Sequence, residues 1–142
     1  MTIGQVMTFP VEVVHPSDTV RAAAEEMRAL NVGSIPVCEG NKPVGVITDR
    51  DIVVRGLALG HDPDTSTVSD VMSDVVQSCK PDTPIEEAAR LMKEHQIRRL
   101  VVVDDEQALV GIVSLGDRAQ AASDQLAGET LEAISAPSIP FP

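Results

Sequence analysis

The chain has 142 residues, the length of one ordinary domain, of which 43% are hydrophobic, and its formal net charge is −11. That charge divides as −4 over residues 1–65 (five basic, nine acidic) and −7 over the remainder (six basic, thirteen acidic). So acidic a surface excludes a general nucleic-acid binder, and the lack of Trp and Tyr, with only Phe9 and Phe141, excludes base stacking on single strands. No apolar run approaches membrane-spanning length, and Met1-Thr2-Ile3-Gly4 lacks the basic and apolar regions of a signal peptide, so a cytoplasmic protein without a membrane partner is expected.

A short strand over residues 11–14 opens the first half. Pro16-Ser17-Asp18 then precedes a helix over 19–30, in which Val20, Ala23, Ala24, Met27 and Leu30 share one face and Asp18 is the expected N-cap. Two apolar runs follow, 35–38 and 44–48, joined by a turn over 39–43. Runs this apolar suit strands buried on both faces, and Pro36, which lacks an amide hydrogen, calls for a strand edge or an interruption. A second helix over 51–59 stops at Gly60, and the polar, turn-rich segment 60–67 is the expected linker.

The second half runs through the same series. A strand over 75–79 leads to Thr83-Pro84-Ile85-Glu86, which combines a capping threonine, a proline at the first helical position and a capping-box glutamate. Ile85, Ala88, Ala89 and Met92 form that helix's apolar stripe. Strands over 100–103 and 110–114 and a helix over 117–126 complete the unit. Residues 130–134 read as a last helical turn, and 136–142, with three prolines, as an extended tail.

The two series are copies. Val6, Met7, Val11, Pro16, Ala23, Ala24, Met27 and Val37 recur 65 positions later as Val71, Met72, Val76, Pro81, Ala88, Ala89, Met92 and Val102. One extra residue in the loop 104–108 shifts the offset to 66, after which Gly45 and Asp51 recur as Gly111 and Asp117. A long period seen twice describes two tandem subdomains rather than a solenoid. Each, at about 65 residues, is marginal alone and needs to bury a face. The expected class is α+β, with two β-α-β-β-α repeats packed as a pseudo-two-fold pair: residues 1–65 with the linker, 66–121, and a tail over 122–142.

The most informative motif ends each hairpin. Val44-Gly45-Val46-Ile47-Thr48-Asp49-Arg50-Asp51 returns as Val110-Gly111-Ile112-Val113-Ser114-Leu115-Gly116-Asp117: a buried strand ending in a hydroxyl residue, with an aspartate three positions later. A hydroxyl and a carboxylate at such a turn suit a sugar phosphate. A carboxylate accepts two charge-assisted bonds from a vicinal diol, and both aspartates fall at expected helix N-termini, where the dipole favours an anion.

These units, with Gly-hydrophobic-hydrophobic-Thr/Ser-x-x-Asp closing the last strand and with Gln-Val-Met-Thr at 5–8 and Asp-Val-Met-Ser at 70–73, resemble a pair of cystathionine-β-synthase (CBS) domains over about residues 3–121. Thr48-Asp49-Arg50-Asp51-Ile52-Val53 and Glu94-His95-Gln96-Ile97-Arg98-Arg99 further resemble small stand-alone bacterial CBS pairs. The resemblance implies a regulatory, non-enzymatic module that binds AMP, ADP, ATP or S-adenosylmethionine in clefts between the repeats, forms a homodimer and signals to a protein effector. It requires no cofactor. It also implies that Asp51 and Asp117 hold ribose hydroxyls while Thr48 and Ser114 contact phosphate.

The copies differ in charge. Arg98-Arg99-Leu100-Val101-Val102-Val103-Asp104 resembles a nucleotide-contacting repeat of the AMP-activated kinase γ subunit, whose basic pair grips phosphates, whereas Gly33-Ser34 occupies that place in the first copy. The Asp117 side is therefore the expected phosphate site. Two other readings stay open: Arg98 and Arg99 as ion-pair partners of Glu94 or Asp104, and Asp51 and Asp117 as plain helix caps. The latter would leave a ligand-free interaction module. Cys38 and Cys79 read as buried small hydrophobes, with a redox or metal sensor as the remaining alternative. His15, His61 and His95 have no metal-ligand spacing, and no nucleophile elbow, HExxH or Walker loop is present.

Overall fold

The computed structural model describes residues 1–114. The expected helices 117–126 and 130–134, the tail and Asp117 lie outside the described residues. The chain forms two compact units: Glu12–Val76, and Met1–Val11 together with the residues from Gln77.

In the unit Glu12–Val76, helix α1 (Val20–Leu30) is followed by strands β1 (Ser34–Glu39) and β2 (Lys42–Thr48), a π-helical segment over Asp51–Gly56, a 3-10 turn over Leu57–Leu59 and a short helix α2 (Val68–Val71). Thr19 caps α1, its hydroxyl accepting from the Ala22 amide at 3.1 Å. Asp18 does not cap the helix as expected. Its carboxylate accepts from the His15 amide at 2.9 Å, closing the turn that precedes the cap. Helix α1 ends on Asn31 in the left-handed conformation (φ 56°), whose N–H donates to the carbonyls of Met27 and Arg28.

Strands β1 and β2 are antiparallel, with Ser34 opposite Thr48 and Ile35 opposite Ile47. Pro36 lies opposite Val46, and on the outer side of β1 its carbonyl accepts from the Val14 amide at 3.1 Å. The carbonyl and nitrogen of a strand residue face the same side, so the ladder to β2 never calls on the missing amide hydrogen. The expected strand over 11–14 is reduced to one parallel bridge, Val14 to Val37. Val14, Val20, Ala23, Met27, Ile35, Val37, Ile47, Val68 and Val71 form the core.

The other unit repeats this plan residue for residue. Strand β3 (Ser78–Cys79), helix α3 (Ile85–His95) and strands β4 (Arg99–Val103) and β5 (Leu109–Ser114) surround a core of Ile3, Cys79, Ile85, Ala88, Met92, Leu100, Val102 and Val113. Eight of the nine core positions of the first unit thus recur at the offsets of the sequence repeat. The caps recur too: Gln96 (φ 53°) ends α3 as Asn31 ends α1. Pro84 is the N-cap of α3 rather than its first helical residue, and the Thr83 hydroxyl accepts from the Lys80 amide at 3.0 Å.

The compact units and the sequence repeats are divided differently. Residues 1–11 pack with the second hairpin, and residues 66–76 with the first. Ser73 and Val46 exchange two backbone bonds of 2.9 Å each, and Thr8 and Ile112 exchange two of 2.8 and 3.0 Å. Gly45 and Gly111 make these approaches possible. A Cβ on Gly45 would lie 2.6 Å from the Ser73 carbonyl oxygen, and one on Gly111 would lie 2.5 Å from the Met7 sulfur. Ile3 and Val68, which open the two repeats, are fully buried in these exchanged positions. A segment of about eleven residues cannot form a core by itself, so it completes the hairpin it reaches.

Candidate functional site

The hydroxyl residue of each motif, Thr48 or Ser114, sits at the open end of a hairpin. In the unit Glu12–Val76, β2 delivers Thr48, and the chain turns at once into the helical segment that holds Asp51. The two side chains bond each other's backbone. The Asp51 amide donates to Thr48 Oγ1 at 3.0 Å, and Asp51 Oδ2 accepts from the Thr48 amide at 3.0 Å. Residues 49–50 are already helical, so these reciprocal bonds have the form of a capping box with Thr48 at the N-cap. They occupy one carboxylate oxygen. Oδ1 takes no hydrogen bond among the described residues and keeps its acceptor capacity, so a cap and a diol-binding carboxylate are compatible roles here.

Across the hairpin end, Ser34 pairs with Thr48, and Gly33 accepts the Asp49 amide on its carbonyl at 2.9 Å. The Asp49 carboxylate folds over Gly33: a Cβ there would meet Oδ2 at 3.0 Å, while Oδ1 accepts from the Arg50 amide at 2.8 Å. An exposed negative charge therefore lies beside Thr48 and Asp51. Asp49 carries no role in the motif as read from the sequence. The signal that could have found it is the pairing of Gly33, which leaves room for a neighbour's side chain, with Asp49 just past the strand partner of Ser34.

The same place in the other unit has the opposite charge. Arg99 lies opposite Ser114 in the β4–β5 ladder, and Arg98 immediately precedes it; both arginines are exposed. Neither has an ion pair among the described residues. The alternative partners do not take them. Asp104 Oδ1 is occupied by the amides of Glu106 and Ala108, both at 2.9 Å, within the β4–β5 turn, and the ion pairs on the described surface are Arg21–Asp64, Lys80–Asp105 and Arg90–Glu87. Of the site residues expected here, Arg98, Arg99 and Ser114 share one hairpin end, while Asp117 lies outside the described residues.

Cys38 and Cys79 are free and buried. Burial raises both thiols, Cys79 to about 11 with help from the nearby Glu87 carboxylate, which suppresses the thiolate that redox or metal chemistry needs. His15 faces the Cys38 carbonyl through Nδ1 at 3.0 Å, and His61 Nδ1 lies 3.3 Å from Ser66 Oγ. Among the described residues, no group of three or more His, Cys, Asp or Glu is placed to hold a metal. No described helix is long and apolar enough to cross a membrane.

Two α+β units on one plan, each with a hydroxyl-x-x-aspartate motif or its first member at the hairpin end, define a tandem CBS pair, and the sequence profile of the CBS domain matches residues 3–57 and 68–124. The chain belongs to the CBS-domain family. It is 45% identical over 135 residues to the CBS domain-containing protein YhcV of Bacillus subtilis, covering 94% of this chain and 95% of the relative. It is 36% identical to Hypoxic response protein 1 of Mycobacterium tuberculosis over 96% of this chain and 95% of that one. A crystal structure of Hypoxic Response Protein I with two coordinated zinc ions superposes with a TM-score of 0.79 at 35% identity, over 87% of this chain and 100% of that one. CBSX2 in complex with AMP matches with a TM-score of 0.75 at 32% identity, over 84% and 94% of the two chains. The CBS pair of MJ0100, in complex with 5′-methylthioadenosine and S-adenosylmethionine, matches with a TM-score of 0.72 at 27% identity, over 84% and 94%.

Proposed function

We propose that this chain is a regulatory sensor of adenine nucleosides and nucleotides, in which the hairpin-end motifs hold the ligand. The observation that carries the proposal is the pair Arg98 and Arg99 beside Ser114, two exposed guanidiniums without an ion pair among the described residues in a chain of net charge −11. In so acidic a protein, exposed cations at the end of a strand suit an anionic ligand, and guanidiniums suit phosphate oxygens in particular. Ser114 contacts the same phosphate, and Asp117 takes the ribose. At the other hairpin end, Asp51 takes the ribose through Oδ1, and the Thr48 hydroxyl lies beside it. The AMP complex of CBSX2 and the nucleoside complex of the MJ0100 pair support an adenine ligand.

The chemistry is binding, not catalysis, and occupancy is passed on through surface or assembly, limited by the ligand's differential affinity for two conformations. The assembly we propose is a homodimer. Val53, Val54, Leu57 and Leu59 support it, since all four are exposed on the helical stretch after β2. That exposed apolar face also favours the second reading, a ligand-free interaction module. The two are separated by isothermal titration with AMP, ATP and S-adenosylmethionine into the wild type, Asp51→Ala, Asp117→Ala and the Arg98→Ala/Arg99→Ala double variant. The sensor predicts saturable binding that the variants weaken. No heat with any of the ligands, or equal binding by all variants, would leave the interaction module standing.

A further inference from the structure

We propose that Asp49 sets the ligand preference of the Thr48/Asp51 site, disfavouring phosphate and favouring an adenine nucleoside whose 5′ substituent is neutral or positively charged. The inference rests on the sensor reading above and deepens it for one of the two sites. The place that holds Arg98 and Arg99 in one unit holds Gly33 and Ser34 in the other, and there the carboxylate of Asp49 covers the glycine. Gly33 leaves room for it: a Cβ there would stand 3.0 Å from Asp49 Oδ2, close enough to push the carboxylate aside by a few tenths of an ångström. The carboxylate is also held in place: its own amide donates to the Gly33 carbonyl at 2.9 Å, and its Oδ1 accepts from the Arg50 amide at 2.8 Å. A phosphate reaching Thr48 Oγ1 from a ribose on Asp51 would meet this charge at the hairpin end, where the other unit offers two cations.

The size of the effect follows from Coulomb's law. Asp49 is exposed, so the dielectric is close to that of water, and a phosphate bearing about −1.5 to −2 at roughly 5 Å loses about tenfold in affinity. Arg50, next along the turn, is the nearby cation that could counter this repulsion, so it is the necessary control.

The experiment is an amide-resolved NMR titration of the full chain with adenosine and with AMP. Gly33, Thr48 and Asp49 report one site, and Arg98, Arg99 and Ser114 the other. The expected result is that adenosine saturates the Gly33–Asp49 amides at least about tenfold more tightly than AMP. Asp49→Asn, which keeps the acceptor for the Arg50 amide but removes the charge, cuts that preference about tenfold, whereas Arg50→Ala does not. AMP binding as tightly as adenosine at Gly33 in the wild type, or a preference unchanged in Asp49→Asn, overturns the inference. So does AMP moving the Arg98 and Ser114 amides while adenosine leaves Gly33 unmoved, a result that spares the sensor reading. Silence of both sites towards both ligands sinks the two together.

Discussion

Gly45→Ala probes the feature on which both units depend, the laying of one repeat's opening segment across the other repeat's hairpin. The added methyl would stand 2.6 Å from the Ser73 carbonyl oxygen and 2.8 Å from the Met72 sulfur. The sulfur can swing away; the carbonyl cannot, because Ser73 is tied to Val46 by two backbone bonds of 2.9 Å. Overpacking of this kind costs about 1–3 kcal/mol. Stretching two hydrogen bonds adds roughly 0.5–1.5 kcal/mol each if they are lost outright. The stiffer unfolded chain returns about 0.4–1 kcal/mol. The net expectation is a loss of about 3 kcal/mol. Gly111→Ala should cost less, about 1–2 kcal/mol, because its first obstacle is the Met7 side chain and the nearest backbone atom, the Thr8 oxygen, is 3.2 Å away. Gly40→Ala meets nothing within 4 Å and should cost only about 1 kcal/mol for its positive φ of 64°. With no Trp or Tyr to report by fluorescence, urea unfolding followed by far-ultraviolet circular dichroism is the assay. A Gly45→Ala variant within about 0.5 kcal/mol of wild type, or one less damaged than Gly111→Ala, would refute the exchange of segments as drawn here.

Four further outcomes follow from the same structure. Removing Arg98 and Arg99 together should weaken AMP binding by about 10- to 100-fold and flatten its salt dependence, measured by titration at several ionic strengths. Thr19→Ala should lower stability by about 1 kcal/mol through loss of the α1 cap, and more than Asp18→Ala does, in urea unfolding of the two variants. The Cys79 thiol, raised from 9.0 to about 11, should resist alkylation by iodoacetamide below pH 9 in the folded protein. Its folded value lies above its unfolded one, so its contribution to stability is complete below pH 9 and is lost as pH rises towards 11. Cys79→Ala should show a smaller decline in stability across that window; an unchanged decline would assign it to other groups.

The fold was largely legible in the sequence because the repeat is carried by apolar spacing, and apolar spacing decides the core. Met27 and Met92, Ile35 and Leu100, and Ile47 and Val113 occupy equivalent buried places, as their spacing requires. The caps were less legible. Asp18 and Thr19, like Thr83 and Pro84, are neighbours that both suit a helix start, and only the backbone path decides which side chain faces the first turn. The exchange of residues 1–11 and 66–76 left no local mark except Gly45 and Gly111, whose need to be glycine shows only when Ser73 and Met7 arrive from elsewhere in the chain. The motif residues Thr48 and Asp51 were legible as a pair, but not that one carboxylate oxygen would serve the cap. The placement of Asp49 was not legible, because its carboxylate lies over a glycine sixteen positions earlier, across the hairpin.

Native mass spectrometry of the full chain incubated with AMP, ATP or S-adenosylmethionine tests the central claim most directly, since it weighs assembly and ligand together. The sensor account predicts a dimer mass carrying discrete adenine-ligand increments, reduced in the Arg98→Ala/Arg99→Ala variant for the phosphorylated ligands. A dimer that remains bare in the presence of all three ligands would contradict it.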